Sequence, residues 1–263
     1  MTREGAAVRV LRLVAVGWWL QLKNRSRSSF DGLLSILYPL FFATTIFFMY
    51  RQNGEQAALV SAAVGASLMG VWSAVSTSAS TTLQGERRQG TLELLVAAPT
   101  PFSLVILPAT VSMATIGLWS FLVTLVWGRV AFGIRISFEQ PLVFALAAIV
   151  MTFSLGLVGF LQAMASVRYR AAWALGTLFE FPVWLICGFL VPLTSLPDWV
   201  TPIAYLLPPT WGVSAVRAAA FGGSPWRDIA LCLLTGAVYA VIGVALSRRL
   251  VDSARGNATL ALT

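Results

Sequence analysis

The sequence predicts an all-α integral membrane protein with six transmembrane helices, and three observations carry that prediction. Of 263 residues, 58% are hydrophobic and 11% charged, whereas soluble domains are roughly 45–50% apolar and about 25% charged. A soluble fold of this size would not have enough charges to cover its surface. The apolar residues fall into six runs, and the first, of 21 residues, rises about 31 Å as a helix, enough for the hydrocarbon core. The basic residues are distributed unevenly between the two sides these runs define. With both termini cytoplasmic, 13 of the 18 lie inside and Arg51, Arg129, Arg135, Arg217 and Arg227 outside, the bias that sets membrane orientation. The chain is read as one transmembrane domain over residues 1–263 in the cytoplasmic (inner) membrane, multi-pass, with lipid as its main contact and no nucleic-acid partner.

Residues 1–28 form a leader with Arg3, Arg9, Arg12, Lys23, Arg25 and Arg27 against one acid, Glu4. Val8, Leu11, Ala15, Trp18 and Leu22 recur at steps of three and four, the mark of a helical apolar stripe. Arg12 interrupts the apolar stretch and no small-residue cleavage pattern follows, so the leader is expected to be an amphipathic helix in the cytoplasmic interface rather than a signal peptide.

The first span covers 30–50, with a kink expected at Pro39. The second covers 57–83. Its Ala62, Ala66, Gly70, Ala74 and Ser78 make one face small, so another helix can approach closely. The remaining spans are 102–127, 141–167, 171–193 and 229–247. Between the last two, residues 194–228 are too apolar for a solvated loop, yet Pro197, Pro202, Pro208 and Pro209 forbid one continuous helix. Two short re-entrant or interfacial helices are expected there on the outer side; the rival reading, a seventh span, would put Arg248, Arg249 and Arg255 outside. Asp198 would cap the first, Thr210 would cap the second, and Gly222 and Gly223 would end it.

Composition also limits the chemistry. Histidine is absent, and with it the commonest general base and metal ligand. Cys187 and Cys232 both lie in apolar runs and read as small buried hydrophobes. No metal site and no catalytic constellation is expected, which disfavours a membrane-embedded enzyme. Lys23 is the one lysine and follows Leu22, so the Gly-Lys-Ser/Thr of a phosphate-binding loop is missing.

Residues 84–101, QGERRQGTLELLVAAPTP, form a charged interruption between two uncharged runs and fall on the cytoplasmic side. Thr91 can cap about two helical turns with Leu92, Leu95 and Val96 on one edge, stopped by Pro99 and Pro101. A short helix of this kind fits a groove on another protein. The order of Glu86, Gly90, Thr91, Glu93, Leu95, Pro99 and Pro101 resembles the cytoplasmic coupling-helix segment of type 2 ABC exporter permeases. The leader, the six spans and the Pro-rich outer segment are similar to that family over nearly the whole chain. The resemblance implies an ATP-driven exporter in which a second permease subunit, identical or homologous, stands beside this one. It also implies two copies of a cytoplasmic ABC ATPase subunit, which carry the ATP and magnesium, and no cofactor in this chain. Coupling to the ATPase would fall to Glu86, Arg87, Gly90, Thr91, Leu92, Glu93 and Leu95.

Glu180 is the one acid deep inside a span, about 14 Å from residue 171, where an ionised group costs roughly 2.5–3.5 kcal/mol. It would either face a pathway and meet cargo, or be protonated or hydrogen-bonded by a neighbour such as Gln162. Trp72, Trp119 and Trp184 lie mid-span and the other seven tryptophans near expected interfaces. With Glu180, the pathway candidates are Trp184, Trp72 and Ser76, the last from a run of hydroxyls that can instead bond their own helix. The cargo class left open is an amphipathic drug, antibiotic, lipid or glycan. The alternative is a self-contained channel or ion-coupled secondary transporter, which would ordinarily show several intramembrane ionisable groups or matching broken helices.

Overall fold

The computed structural model describes residues 3–26, 37, 40–49, 56–90, 94, 101–134, 138–168, 172–190, 193 and 196–257. Among these residues the regular elements are all helical: α1 (Arg3–Ser26), α2 (Leu40–Met49), α3 (Gln56–Arg88), α4 (Phe102–Phe132), α5 (Pro141–Arg168), α6 (Ala172–Ile186), α7 (Thr201–Leu206), α8 (Pro208–Phe221) and α9 (Trp226–Asn257).

Among the described residues four helices carry apolar stretches long enough to cross a bilayer, Leu59–Ser76, Phe102–Phe132, Pro141–Ala165 and Trp226–Arg249. They coincide with the second, third, fourth and sixth expected spans. Of the first expected span, α2 covers Leu40–Met49; Pro39 and most of the remainder lie outside the described residues.

The fifth span is shorter than its apolar run. Residue 171 lies outside the described residues, and α6 has 15 residues, a rise of about 22 Å against the ~30 Å core. It stops at Ile186 because Gly188 adopts φ 80°. Gly188 N then donates to Leu185 O (3.3 Å) and Phe189 N to Trp184 O (3.2 Å), the paired bonds of a Schellman ending. Apolarity carries on past Ile186 while the α-helix does not, so hydropathy overran a stop that backbone geometry imposes.

α5 is the central helix, packed against α3, α4, α6, α8 and α9. Small residues permit these approaches. A Cβ on Gly117 of α4 would lie 3.1 Å from Val71, on Gly156 of α5 3.1 Å from Ala114, and on Gly236 of α9 3.0 Å from the Ser154 hydroxyl. The small face read on the second span behaves accordingly, with Ala62 and Ala66 buried and Gly70 buried beside them.

The inward and outward faces of α9 invert the soluble pattern. Cys232, Gly236, Gly243 and Ser247 are buried, whereas Leu234, Val238, Val241 and Ile242 point outward, Val241 at 69% exposure. Small residues inside and large aliphatics outside suit a helix whose outer solvent is lipid. The outward side of α4 repeats this with Trp119, Leu122, Val126 and Val130.

α1 is one 24-residue helix that docks on α4. Trp18 Nε1 donates to Thr115 Oγ1 at 3.0 Å, and Gly17 is so close to Pro108 that a Cβ would sit 2.9 Å from its ring. The expected stripe is only partly the contact face. Val8 and Leu11 are 68% and 73% exposed, because the helix turns Gly17 toward its neighbour.

Within residues 196–228 two short helices form, α7 and α8, and neither uses the expected cap. Val200 and Leu207 occupy the N-cap positions of α7 and α8 with no side-chain cap bond. Asp198 is exposed. α8 begins at Pro208, where a proline loses nothing because first-turn N–H groups have no intrahelical acceptor. Thr210, freed from capping, donates from Oγ1 to Ala204 O at 2.6 Å and ties α8 to α7. Gly222 ends α8 at φ 84°, as its position indicated.

Candidate functional site

Inside this apolar bundle, side-chain hydrogen bonds link α3 to both α5 and α6. Glu180 is on α6, 4% exposed, and accepts a hydrogen bond at Oε1 from the Ser73 hydroxyl of α3. One turn further along α3, Ser76 Oγ and the Gln162 side chain of α5 are hydrogen-bonded at 3.2 Å. Residues three apart share a helix face, so a single edge of α3 supplies hydroxyls to both neighbours. Ser67, by contrast, donates to its own helix at Ala63 O (2.7 Å). The carboxyl's bonded neighbour is thus Ser73, a residue that the sequence reading left among seven hydroxyls without a separate role. The signal was present, since Ser73 and Ser76 keep the three-residue spacing of one helix face.

Trp184 follows Glu180 by one turn and is buried, meeting Phe42 edge-on (5.4 Å, 71°) and Phe181 likewise (5.2 Å, 72°). Trp72 precedes Ser73 and is also buried. Neither indole N–H finds a hydrogen-bond partner among the described residues. All four pathway candidates, Glu180, Trp184, Trp72 and Ser76, therefore lie on α3 and α6 with exposures of 6% or less in the single chain. Trp119 is separate from them and 58% exposed on α4.

Just beyond the junction, the end of α6 is wedged against α3 and α8. The Phe189 carbonyl, left over when the helix stops, packs on Gly65, where any Cβ would run into it. It accepts a bond from Arg217 Nη2 of α8 at 2.9 Å. Arg217, counted from sequence among the outer positive charges, thus ties α8 to the end of α6. α8 is held from two further directions. Ser214 donates to Asp228 Oδ2 at the start of α9, and Gln140 Nε2 donates to Gly223 O at 3.3 Å. Cys187 and Cys232 are free and buried, in keeping with small core residues.

At the opposite end of α3 the helix does not stop at residue 83 but continues through Arg88. Glu86 and Arg87 therefore belong to its last turns rather than to a loop. Gln89 N donates to Gly85 O (3.0 Å) and Gly90 takes φ 70°, the left-handed residue that follows the end of the helix. Thr91, Leu92, Glu93 and Leu95, and with them the expected two-turn helix, lie outside the described residues.

Long apolar helices that face lipid, wrapped around a buried hydrogen-bonded acid, define a multi-pass helical membrane protein. Sequence comparison then narrows the class. The family model described as ABC-2 type transporter matches residues 12–221, from α1 to the end of α8. The chain belongs to the ABC-2 type transporter family. It is a membrane-spanning subunit of an ABC transporter, the permease rather than the ATPase, and its family implies partnership with an ABC ATPase subunit. No curated protein matches the chain.

Proposed function

We propose that this chain is the permease subunit of an ATP-driven exporter. Two copies of a cytoplasmic ABC ATPase, loaded with ATP and magnesium, serve a pair of permeases that are identical or homologous. Both termini face the cytoplasm, and six spans cross the inner membrane. The cargo is an amphipathic molecule such as a drug, antibiotic, lipid or glycan. Family membership over residues 12–221 carries this reading. The geometry supports it through α3, which joins the buried Ser73–Glu180 junction to Glu86 and Arg87 without a break. A displacement of the segment at 84–101 would therefore reach the interior as movement of one rod. Glu86, Arg87, Gly90, Thr91, Leu92, Glu93 and Leu95 are the proposed contacts with the ATPase. Glu180, Trp184, Trp72 and Ser76 are the proposed pathway residues.

Co-purification from native membranes, followed by reconstitution, tests the reading. An ABC ATPase should accompany the chain, and transport should require ATP. Glu93→Ala and Leu95→Ala should weaken both association and transport, and Glu180→Gln should reduce transport without loss of assembly. Transport that proceeds in the absence of ATP and of any ATPase would favour a self-contained channel or ion-coupled carrier instead.

A further inference from the structure

Ser73 has no role so far beyond its contact with Glu180. Three features of its position give it more. First, it stands on the one helix that runs from the core into the ATPase-facing turn. From Ser73 to Arg88 is 15 residues of unbroken α3, about 22 Å along the axis. Second, the element it holds is weak. α6 is short, carries Pro182 inside it, and ends at the Gly188 turn. A proline within a helix removes one backbone hydrogen bond, so α6 depends on its neighbours for its placement. Third, α6 touches α3 at two levels. Near its end the Phe189 carbonyl lies against Gly65, a contact of shape that resists approach but not separation. At its middle the Ser73 hydroxyl holds Glu180, a directional bond that α6 loses if α3 turns or slides.

The hydrogen bond also keeps the acid occupied. With Ser73 on Oε1 and a residue exposure of 4%, the carboxyl is turned into protein. For Glu180 to meet cargo, as proposed above, α3 and α6 must part at this level. Ser76 and Gln162, hydrogen-bonded at 3.2 Å, fix the same edge of α3 to central α5, so the resting register of α3 is defined from two sides.

We infer that Ser73 is a positioning residue for transport: its hydroxyl latches α6 onto α3 in the resting permease, and ATP-driven movement of α3 releases Glu180 from it. The inference rests on the exporter reading. By linkage, whatever weakens the resting state favours the ATP-bound state to the same extent. Removal of the hydroxyl should therefore tighten apparent ATP binding, a gain that a merely structural role would not produce.

The test is ATP hydrolysis by the full chain in complex with its ABC ATPase in lipid nanodiscs, titrated with magnesium-ATP. Ser73→Ala is expected to lower the half-maximal ATP concentration about tenfold, the scale of a lost hydrogen bond to a carboxylate. Ser73→Thr, which keeps the hydroxyl, is expected to stay within about twofold of wild type, on the same scale. An unchanged or raised half-maximal concentration for Ser73→Ala overturns the latch, as does failure of Ser73→Thr to restore the wild-type value. Should Ser73→Ala not assemble, Glu180→Gln gives the same readout with a weaker acceptor, and its half-maximal concentration should fall by a smaller factor; no fall overturns the latch. A wild-type complex that does not hydrolyse ATP overturns the exporter reading itself, and is told apart by needing no mutant.

Discussion

Gly65→Ala adds one methyl group at the place where α3 meets the end of α6. The new Cβ would run into the Phe189 carbonyl. That oxygen is backbone and cannot rotate aside. It is held by the αL turn at Gly188, by the bonds of Gly188 N and Phe189 N back into α6, and by Arg217 Nη2 at 2.9 Å. Relief therefore requires α3 and α6 to separate or the Arg217 bond to break. Overpacking of this kind costs about 1–3 kcal/mol, and a lost bond from a charged donor about 1.5–3 kcal/mol. Against this, alanine is worth about 0.5–1 kcal/mol over glycine within a helix. By either route the net loss is up to about 2.5 kcal/mol, which at roughly 2–4 °C per kcal/mol corresponds to a fall of up to about 10 °C in apparent melting temperature. Cys187, fully buried two residues before Phe189, supplies the probe. A thiol-reactive dye added to the purified chain in detergent will report its exposure on heating. Gly85→Ala is the internal control, since its Cβ would have nothing within 4 Å and should leave the melting point unchanged or slightly raised. Equal melting of the two variants would refute the proposed wedge.

The same carbonyl predicts that Arg217→Ala destabilises the chain by about 1–3 kcal/mol, seen as earlier dye labelling of Cys187. Gly222→Ala forces a side chain into φ 84° and against the Glu139 carboxylate. It should cost at least about 1–2 kcal/mol, read as faster proteolysis between α8 and α9 at unchanged expression.

Membrane class and the long helices were legible in the sequence because they depend on local quantities. Apolar content and run length mark α3, α4, α5 and α9 whatever they pack against. The prolines at 197, 202, 208 and 209 interrupted the outer segment, and Gly222 ended α8, through their own backbone preferences. The family was readable from the resemblance carried by residues 84–101, and the family model matches residues 12–221. Where a side chain had a choice, local reading went astray. Thr210 can cap a helix or bond the preceding turn, and only the placement of α7 against α8 made Ala204 O its acceptor.

Composition and periodicity thus determined by themselves that this chain lives in a bilayer, that the long apolar segments are helical, and that Glu180 is an acid requiring explanation. Tertiary structure alone decided what explains it. Its partner Ser73 lies 107 residues away, and Arg217 finds Phe189 across 28. Such pairings follow from the register and crossing of helices distant in sequence, and no window along the chain contains them. α6 joins the two levels. Its apolar run announced a full span, but a left-handed glycine ended it early and left a carbonyl that α8 had to satisfy.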